Sequence, residues 1–437
     1  MKKNKVNIIG GGLAGCEAAL YLEKLGMESV IFEMRPKHNT PAHKSGNLAE
    51  LICSNSLKSK RIDTGAGLLK AEMKMLGSPL IDAAESFDIK SGAALTVDRE
   101  LFSSEITKRI EKSTMIKLIR EEVTDIHSLQ KPVIIASGPL TSAGLSNSIK
   151  SIIGKDFLYF YDAISPIISR DSINENRGFF ESRYGKGDEN IFNLPMSKEE
   201  YLRFYEELIK AEIVDMKEPD KMIYFESCLP VEEIAARGEK SLLFGPLKPV
   251  GFSNEKARNA EAVLQLRPEN KDMSSYNLIG FQTRLKYPEQ KRVFRMIPGL
   301  EDAEFLRFGS MHRNTYINSP AALKENLSLK TEEGIFFAGQ ISGVEGYIES
   351  IMSGLINAIA VYNYLKKDRI PLPPSETMTG SIIRKLIMFT ENFQPVNANF
   401  GILPETISRV RDKKAKRKMQ AEIALRAMEN WVNAIKF

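Results

Sequence analysis

Three cysteines carry the most reactive side chains of this 437-residue chain. Cys53 stands in "NLAELICSNSLKS", between an apolar turn and a run of small polar residues, and Cys228 follows 175 positions later in "YFESCLPVEEIAARG". Cys16 lies in a stretch of helical composition. A thiolate is a soft nucleophile that can add to an electron-poor carbon and leave again. Most cysteines are buried and inert, so position alone leaves a structural role open for all three. No Cys-x-x-Cys pair occurs, and His38, His43, His127 and His312 are scattered, which argues against a zinc site, a dithiol redox centre or any other metal site. A disulfide scaffold is equally unsupported, and a reducing cytoplasm is the expected compartment. Ser54 and Asn55, types that favour turns and helix starts, suggest backbone N–H groups near Cys53 that would stabilise a thiolate.

The second constellation is glycine-rich. Gly10, Gly11, Gly12, Leu13, Ala14 and Gly15 give the spacing G-x-G-x-x-G. One site needs them in this order: Gly10 for a tight turn, Gly12 for close approach of a pyrophosphate, Gly15 for packing of the following helix on the strand. The unpaired N–H groups at the start of that helix stabilise the phosphates. Glu33, eighteen residues beyond Gly15, can accept ribose hydroxyls and would repel a 2′-phosphate.

The elements that must position these residues are legible. "KVNIIG" is an apolar, β-branched strand, "AGCEAALYLEKLG" a helix ending at Gly26, and "ESVIFE" a second strand. The result is a βαβ unit of the Rossmann type. Two later stretches favour FAD over NAD. "KPVIIASGP" (131–139) reads as a short buried strand, and "EGIFFAGQISGVEGYIES" (333–350) as a strand, a turn at Gly339 and Gln340, and a long helix. In FAD-binding Rossmann proteins such a late unit returns to the sheet and aims its helix at the flavin. Tyr347 would line the isoalloxazine there, beside Glu349 at the helix start.

The fold class expected is therefore α/β, a Rossmann-type FAD-binding domain with an inserted α+β domain. The chain is too long for one core. Residues 1–155 form the first part of the FAD-binding domain and 156–309 the substrate-specifying insertion; 310–437 complete the FAD-binding domain and add a basic helical tail. Within the insertion, "DFLYFYDAISPII" and "RGFFESRYG" suit strands, "SKEEYLRFYEELIKAE" a polar helix, and "LLFGPLKPVGF" a turn. Residues 409–418, "RVRDKKAKRK", hold seven basic residues and one acid. Such a run is either a solvated helix face or a polyanion contact. The start, "MKKNKVNIIGGG", reads as a first strand rather than a signal peptide, and no segment reaches the roughly 18 apolar residues of a membrane span.

With those residues placed, the chain closely resembles the folate- and FAD-dependent tRNA (uracil-5-)-methyltransferases, the TrmFO family. "IIGGGLAGCEAA", "LICSNSLKS", "GLLKAEMKMLGS", "VDRELFS", "IIASGPLTS", "YFYDAISPI", "SRYGKGD", "YFESCLPVEEIAARG", "FGPLKPVG", "VFRMIPGLEDAEFLRFGSMHRNTYI", "AGQISGVEGYIES" and "NFQPVNANFGILP" carry the likeness in order along nearly the whole chain. The related tRNA wobble-uridine flavoproteins share the first and last motifs but are much longer. Only the basic stretch after Ile402 matches loosely.

The resemblance implies transfer of a one-carbon unit from methylenetetrahydrofolate to uracil C5, with FAD as carrier and reductant, recharged by NADPH or NADH. The implied product is 5-methyluridine at the T-loop of tRNA; a uridine of 23S ribosomal RNA is the alternative target. It further implies that Cys53 holds or protects the flavin-borne methylene and that Cys228 attacks uracil C6, roles that sequence leaves exchangeable. Cys16 is expected to be core. His312 and Arg313 suit folate or phosphate equally with a structural pair. The rival from another class is a non-catalytic RNA-binding flavoprotein; a disulfide reductase is disfavoured by the missing cysteine pair.

Overall fold

The computed structural model describes residues 5–40, 42–154, 158–214, 229–367, 370–391, 393–405 and 412–435, without the side chains of 159–162, 312 and 313. Its centre is a five-stranded, all-parallel sheet, in spatial order Ile335–Phe337, Val133–Ile135, Val6–Ile9, Ser29–Phe32, Ile116–Ile119. The first strand pairs on one side with the second, Ile8 opposite Ile31, and on the other with the 133–135 strand, Ile8 opposite Ile134. Strands buried on both faces read as unbroken apolar runs, as "VII" and "IFF" do, and "VNII" departs from this only at the half-buried Asn7. The late strand joins beside Val133–Ile135, so the chain leaves this sheet and returns to it.

Two helices pack on one face of that sheet. Leu13–Lys24 is almost wholly buried, and Tyr347–Lys366 lies along it. Their approach is close enough that a Cβ on Gly354 would sit 2.2 Å from the Ala14 carbonyl oxygen. The terminal helix Lys413–Ala434 docks Ala421, Ala424, Met428 and Trp431 onto the same core, and the Trp431 indole N–H donates to the Pro371 carbonyl at 3.1 Å.

Between the two visits to the parallel sheet the chain builds a second, six-stranded sheet whose pairings are antiparallel. Its order is Phe179–Phe180, Phe192–Met196, Ala262–Pro268, Ser275–Leu278, Ile167–Ser169, Phe305–Arg307, with a separate core that includes Tyr201, Phe204, Tyr276, Phe281 and Phe294. Leu158–Ile164 and Ser310–Tyr316, paired antiparallel, are the way out and the way back. The polar helix Lys198–Lys210 starts on a capping box in which Ser197 and Glu200 satisfy each other's backbone N–H groups.

One expected strand is mostly absent. In "RGFFESRYG" only Phe179–Phe180 pairs, and Arg183–Gly185 is a tight 3₁₀ turn. Tyr184 at φ +62° and Gly185 at φ +57° are left-handed, which an extended strand cannot accommodate.

Candidate functional site

The glycine turn and the switch between strands open a long cleft of about 980 Å³, part of it continuous with solvent. It runs from Glu33, His43 and residues 121–123, past Gly10, Gly12, Leu13 and Ala14, to Gly339, Gln340, Tyr347 and Ser350. The glycines divide the work. A Cβ on Gly10 (φ +106°) would fall 2.5 Å from the Ala136 carbonyl oxygen, and one on Gly15 would fall 2.0 Å from the Gly10 oxygen. Both are required by the protein's own packing. A Cβ on Gly12 would meet no other described residue within 4 Å, so its small size leaves space for something else. Helix Leu13–Lys24 has no side-chain cap and no acid in its first turn, so its first N–H groups stay available to an anion. Open glycine face, uncapped helix and elongated cleft together fit the pyrophosphate and two ends of a dinucleotide.

Glu33 is more engaged than its sequence position suggests. Its Oε2 accepts the Gly11 N–H at 2.9 Å, and Oε1 accepts both the backbone N–H and the Nε–H of Arg35 at 3.0 Å. Burial pushes the carboxyl up, but Arg35 and the backbone donors outweigh it and hold it below the usual carboxylate range. Arg35 in turn bridges to Glu50 at 3.0 Å. The ionised Glu33 thus locks the glycine turn and faces the cleft. His43 lies nearby, its Nδ1 2.6 Å from the Thr40 hydroxyl. Burial, followed by Arg35, lowers it to about 4, so at neutral pH it is uncharged.

At the other end, Gly339 (φ +77°) turns the chain out of the late strand, its N–H held by Ser353 Oγ at 2.6 Å. Helix Tyr347–Lys366 begins after Gly346 (φ +114°), which places Tyr347 in the cleft wall. The Tyr347 hydroxyl reaches across to the thiol loop, accepting the N–H of Cys53 at 2.7 Å and of Ser54 at 3.1 Å. Burial, with Cys53 beside it, pushes the phenol well above its ordinary range, so it stays neutral.

Of the turn or helix start expected after Cys53, the helix start is absent and the chain bends instead. Residues 53–55 lead into the short strand Ser56–Ser59, and the N–H groups of Cys53 and Ser54 are taken by Tyr347, not left to a thiolate. Positive charge takes that place. Arg99 donates to the carbonyls of Leu51 and Ile52 at 2.8 and 3.1 Å, and Arg307 donates to Ile52 at 2.7 Å. Both guanidiniums interact electrostatically with Cys53. Glu269, an insertion residue, pairs with Arg99 at 2.6 Å, which ties the insertion to the segment before Cys53. The Cys53 Sγ lies 3.9 Å from the Ala163 carbonyl oxygen on the outgoing strand.

Glu349 is fully buried, accepting Lys58 Nζ at 3.2 Å and the Ala398 N–H at 3.0 Å. Cys16 is fully buried beneath the glycine turn, its Sγ 3.3 Å from the Gly11 oxygen, and burial pushes its thiol far up. It is a core residue. Cys228 lies outside the described residues; the described chain resumes at Leu229 and enters helix Val231–Ala235. His312 and Arg313 pair by backbone with Asp162 and Tyr161, and their side chains too lie outside the description. Arg35, His43, Arg99, Glu269 and Arg307 were not anticipated. The signal for Glu269 and Arg99 was charge embedded in apolar runs, "LQLRPEN" and "TVDRELF".

These features define a Rossmann-type dinucleotide-binding protein with an inserted antiparallel domain and a cysteine loop held by a tyrosine of the cleft wall. The family model described as glucose inhibited division protein A matches residues 5–369. Two solved structures of Aquifex aeolicus GidA share the fold, with TM-scores of 0.68 and 0.67 at 17% and 18% identity, covering 98% of this chain and 76% and 78% of theirs. Among curated proteins, the methylenetetrahydrofolate–tRNA-(uracil-5-)-methyltransferase TrmFO of Aquifex aeolicus is 51% identical over 431 residues, 98% of this chain and 97% of its own. Its counterpart in Natranaerobius thermophilus is 49% identical, with 98% and 99% covered. The chain belongs to the TrmFO family.

Proposed function

We propose that this chain methylates uracil C5 in tRNA, at the T-loop uridine, using methylenetetrahydrofolate, FAD and NADPH or NADH, and so makes 5-methyluridine. The observation that carries the reading is Tyr347, which lines the nucleotide cleft and holds the Cys53 loop against it. The donor's carbon arrives at the oxidation level of formaldehyde and ends as a methyl group; bound flavin, re-reduced by the nicotinamide, supplies the two electrons.

The chain's residues do the rest. Gly12 and the first N–H groups of helix Leu13–Lys24 take the pyrophosphate, Glu33 the ribose, and Tyr347 flanks the flavin. Cys53 holds the one-carbon unit until RNA arrives, with Arg99 and Arg307 stabilising its thiolate. Cys228 adds to uracil C6, which makes C5 nucleophilic; C5 bonds to the one-carbon unit as that carbon's bond to the Cys53 sulfur breaks, the C5 proton leaves to a base, and the Cys228 thiolate departs once two electrons and a proton have made the carbon a methyl group. The target base must leave its stack, at a cost of a few kcal/mol.

The basic tail fits an RNA substrate. Five cationic residues of 413–418 occupy the first turns of the terminal helix, where positive charge opposes the helix dipole. A phosphate backbone offsets that cost. No described helix is long and apolar enough to cross a membrane, and the cytoplasm is the proposed location.

The test is to incubate the flavin-loaded protein with methylenetetrahydrofolate, NADPH and unmodified tRNA, with ribosomal RNA in parallel. 5-Methyluridine in tRNA alone is expected. Its appearance only in ribosomal RNA moves the target, and its absence from both overturns the reading.

A further inference from the structure

The rim of the insertion carries aromatic and cationic side chains that none of these roles uses. Tyr184 is 53% exposed in spite of a left-handed backbone, φ +62°. It is held there by design of its neighbours: its N–H donates to the Gly251 carbonyl, and Gly251 (φ +98°) lies so close that a Cβ would meet the Tyr184 ring at 2.8 Å. Two ammonium groups flank the ring, Lys186 at 5.4 Å and Lys248 at 5.7 Å from its centroid. Arg183 fixes the second arm by donating to the Lys248 carbonyl at 2.7 Å, and stacks on Phe252 at 5.0 Å. The same 239–252 loop presents Phe244, 83% exposed, the most exposed of the large apolar side chains among the described residues.

An exposed aromatic held in a strained conformation between cations matches the needs of a single-stranded nucleic acid, whose bases stack on rings while its phosphates pair with ammonium groups. The location agrees. Gly187 packs directly on Gly92, and Asp188–Glu189 pairs with Ser91–Gly92. Ala94–Thr96, which follows, pairs with Ser56–Ser59, the strand that leaves Cys53. The platform is thus tied through two strand pairings to the thiol loop.

We infer that Tyr184, with Lys186 and Lys248, is a docking platform on which an unstacked base of the tRNA substrate rests while neighbouring phosphates are neutralised. This rests on the reading of tRNA as substrate. An acidic protein would satisfy the lysines but gives no reason for the open ring.

The experiment measures tRNA affinity and steady-state methylation with the full-length, flavin-loaded protein. Tyr184→Ala is expected to raise Kd and KM for tRNA about tenfold, with kcat, flavin content and melting temperature near wild type. Tyr184→Phe, which keeps the ring, should behave as wild type. Lys186→Gln with Lys248→Gln should lower the slope of log K against log salt by about 0.7–0.9 per lost phosphate contact. If Tyr184→Ala binds as wild type, if Tyr184→Phe loses as much as Tyr184→Ala, or if the lysine pair leaves the slope unchanged, the platform is overturned. Those failures leave the proposed function standing while the wild type makes 5-methyluridine. A wild type that neither binds nor methylates tRNA overturns both.

Discussion

The two ends of the cleft are built differently. At the nucleotide end the backbone does the work: a glycine turn, a helix start and one carboxylate, all within residues 9–35. At the thiol end side chains do it, and they come from far apart. The hydroxyl that holds Cys53 lies 294 positions away, and Arg307 reaches Ile52 across 255. The first end is a local property of one βαβ unit, whereas the second exists only once the insertion has folded against the parallel sheet. Damage to the first should therefore cost ligand, and damage to the second should cost geometry.

The largest separation of the two is expected from Gly12→Leu. Apart from its chain neighbours, no described atom lies within 4 Å of a Cβ at this position, so the chain should fold with a melting temperature near wild type. The side chain fills the pyrophosphate path, and the purified protein should lose essentially all its yellow flavin absorbance. Flavin retained at wild-type stoichiometry would break the comparison at its simpler end.

Tyr347→Phe should do the converse. Removing the hydroxyl leaves the N–H groups of Cys53 and Ser54 without their acceptor, and each such loss costs on the order of 1–3 kcal/mol where water cannot replace it. The ring remains in the cleft wall, so flavin binding should persist while kcat falls by roughly ten- to a hundredfold, about 1.4–2.8 kcal/mol in barrier. Flavin reduction by the nicotinamide should stay near wild type, a readout that a global packing defect would not spare.

The nucleotide end was legible because its requirements are local. Gly10, Gly12, Gly15 and Glu33 sit at distances fixed by one strand and one helix, and the late strand announced itself as an apolar run ending at Gly339. The thiol end was only half legible. Cys53 and Tyr347 could be named, but nothing local to "LICSNS" says that Arg99 and Arg307 grip its carbonyls or that its N–H groups are spent on a distant phenol. Side chains that meet across a domain boundary carry no periodicity of their own. Tyr184 was missed for a related reason: its composition reads as strand, while the glycines around it dictate a turn.

A smaller effect comes from Glu17, buried beneath the nucleotide half and touching neither end. Burial raises it to about 8, opposed by hydrogen bonds from Ser78 and the Leu80 N–H. Its folded value thus exceeds the unfolded one of about 4.5. Between those values the native state binds more protons than the unfolded state, so this carboxyl makes stability fall as pH rises from about 4.5 to about 8. Glu17→Gln should flatten that part of the melting-temperature profile and leave methylation unchanged. An unaltered profile would show that the carboxyl is ionised in the native protein.

The central claim is that Cys53 is a working thiol placed at the flavin end of the cleft. It is tested most directly by measuring 5-methyluridine formed in tRNA by Cys53→Ala, with flavin content and flavin reduction recorded on the same sample. The substitution removes little volume and should cost on the order of 1 kcal/mol of stability. The account predicts a yellow protein whose flavin is reduced at the wild-type rate and whose tRNA product falls below detection. Methylation by Cys53→Ala at near wild-type rates would contradict it.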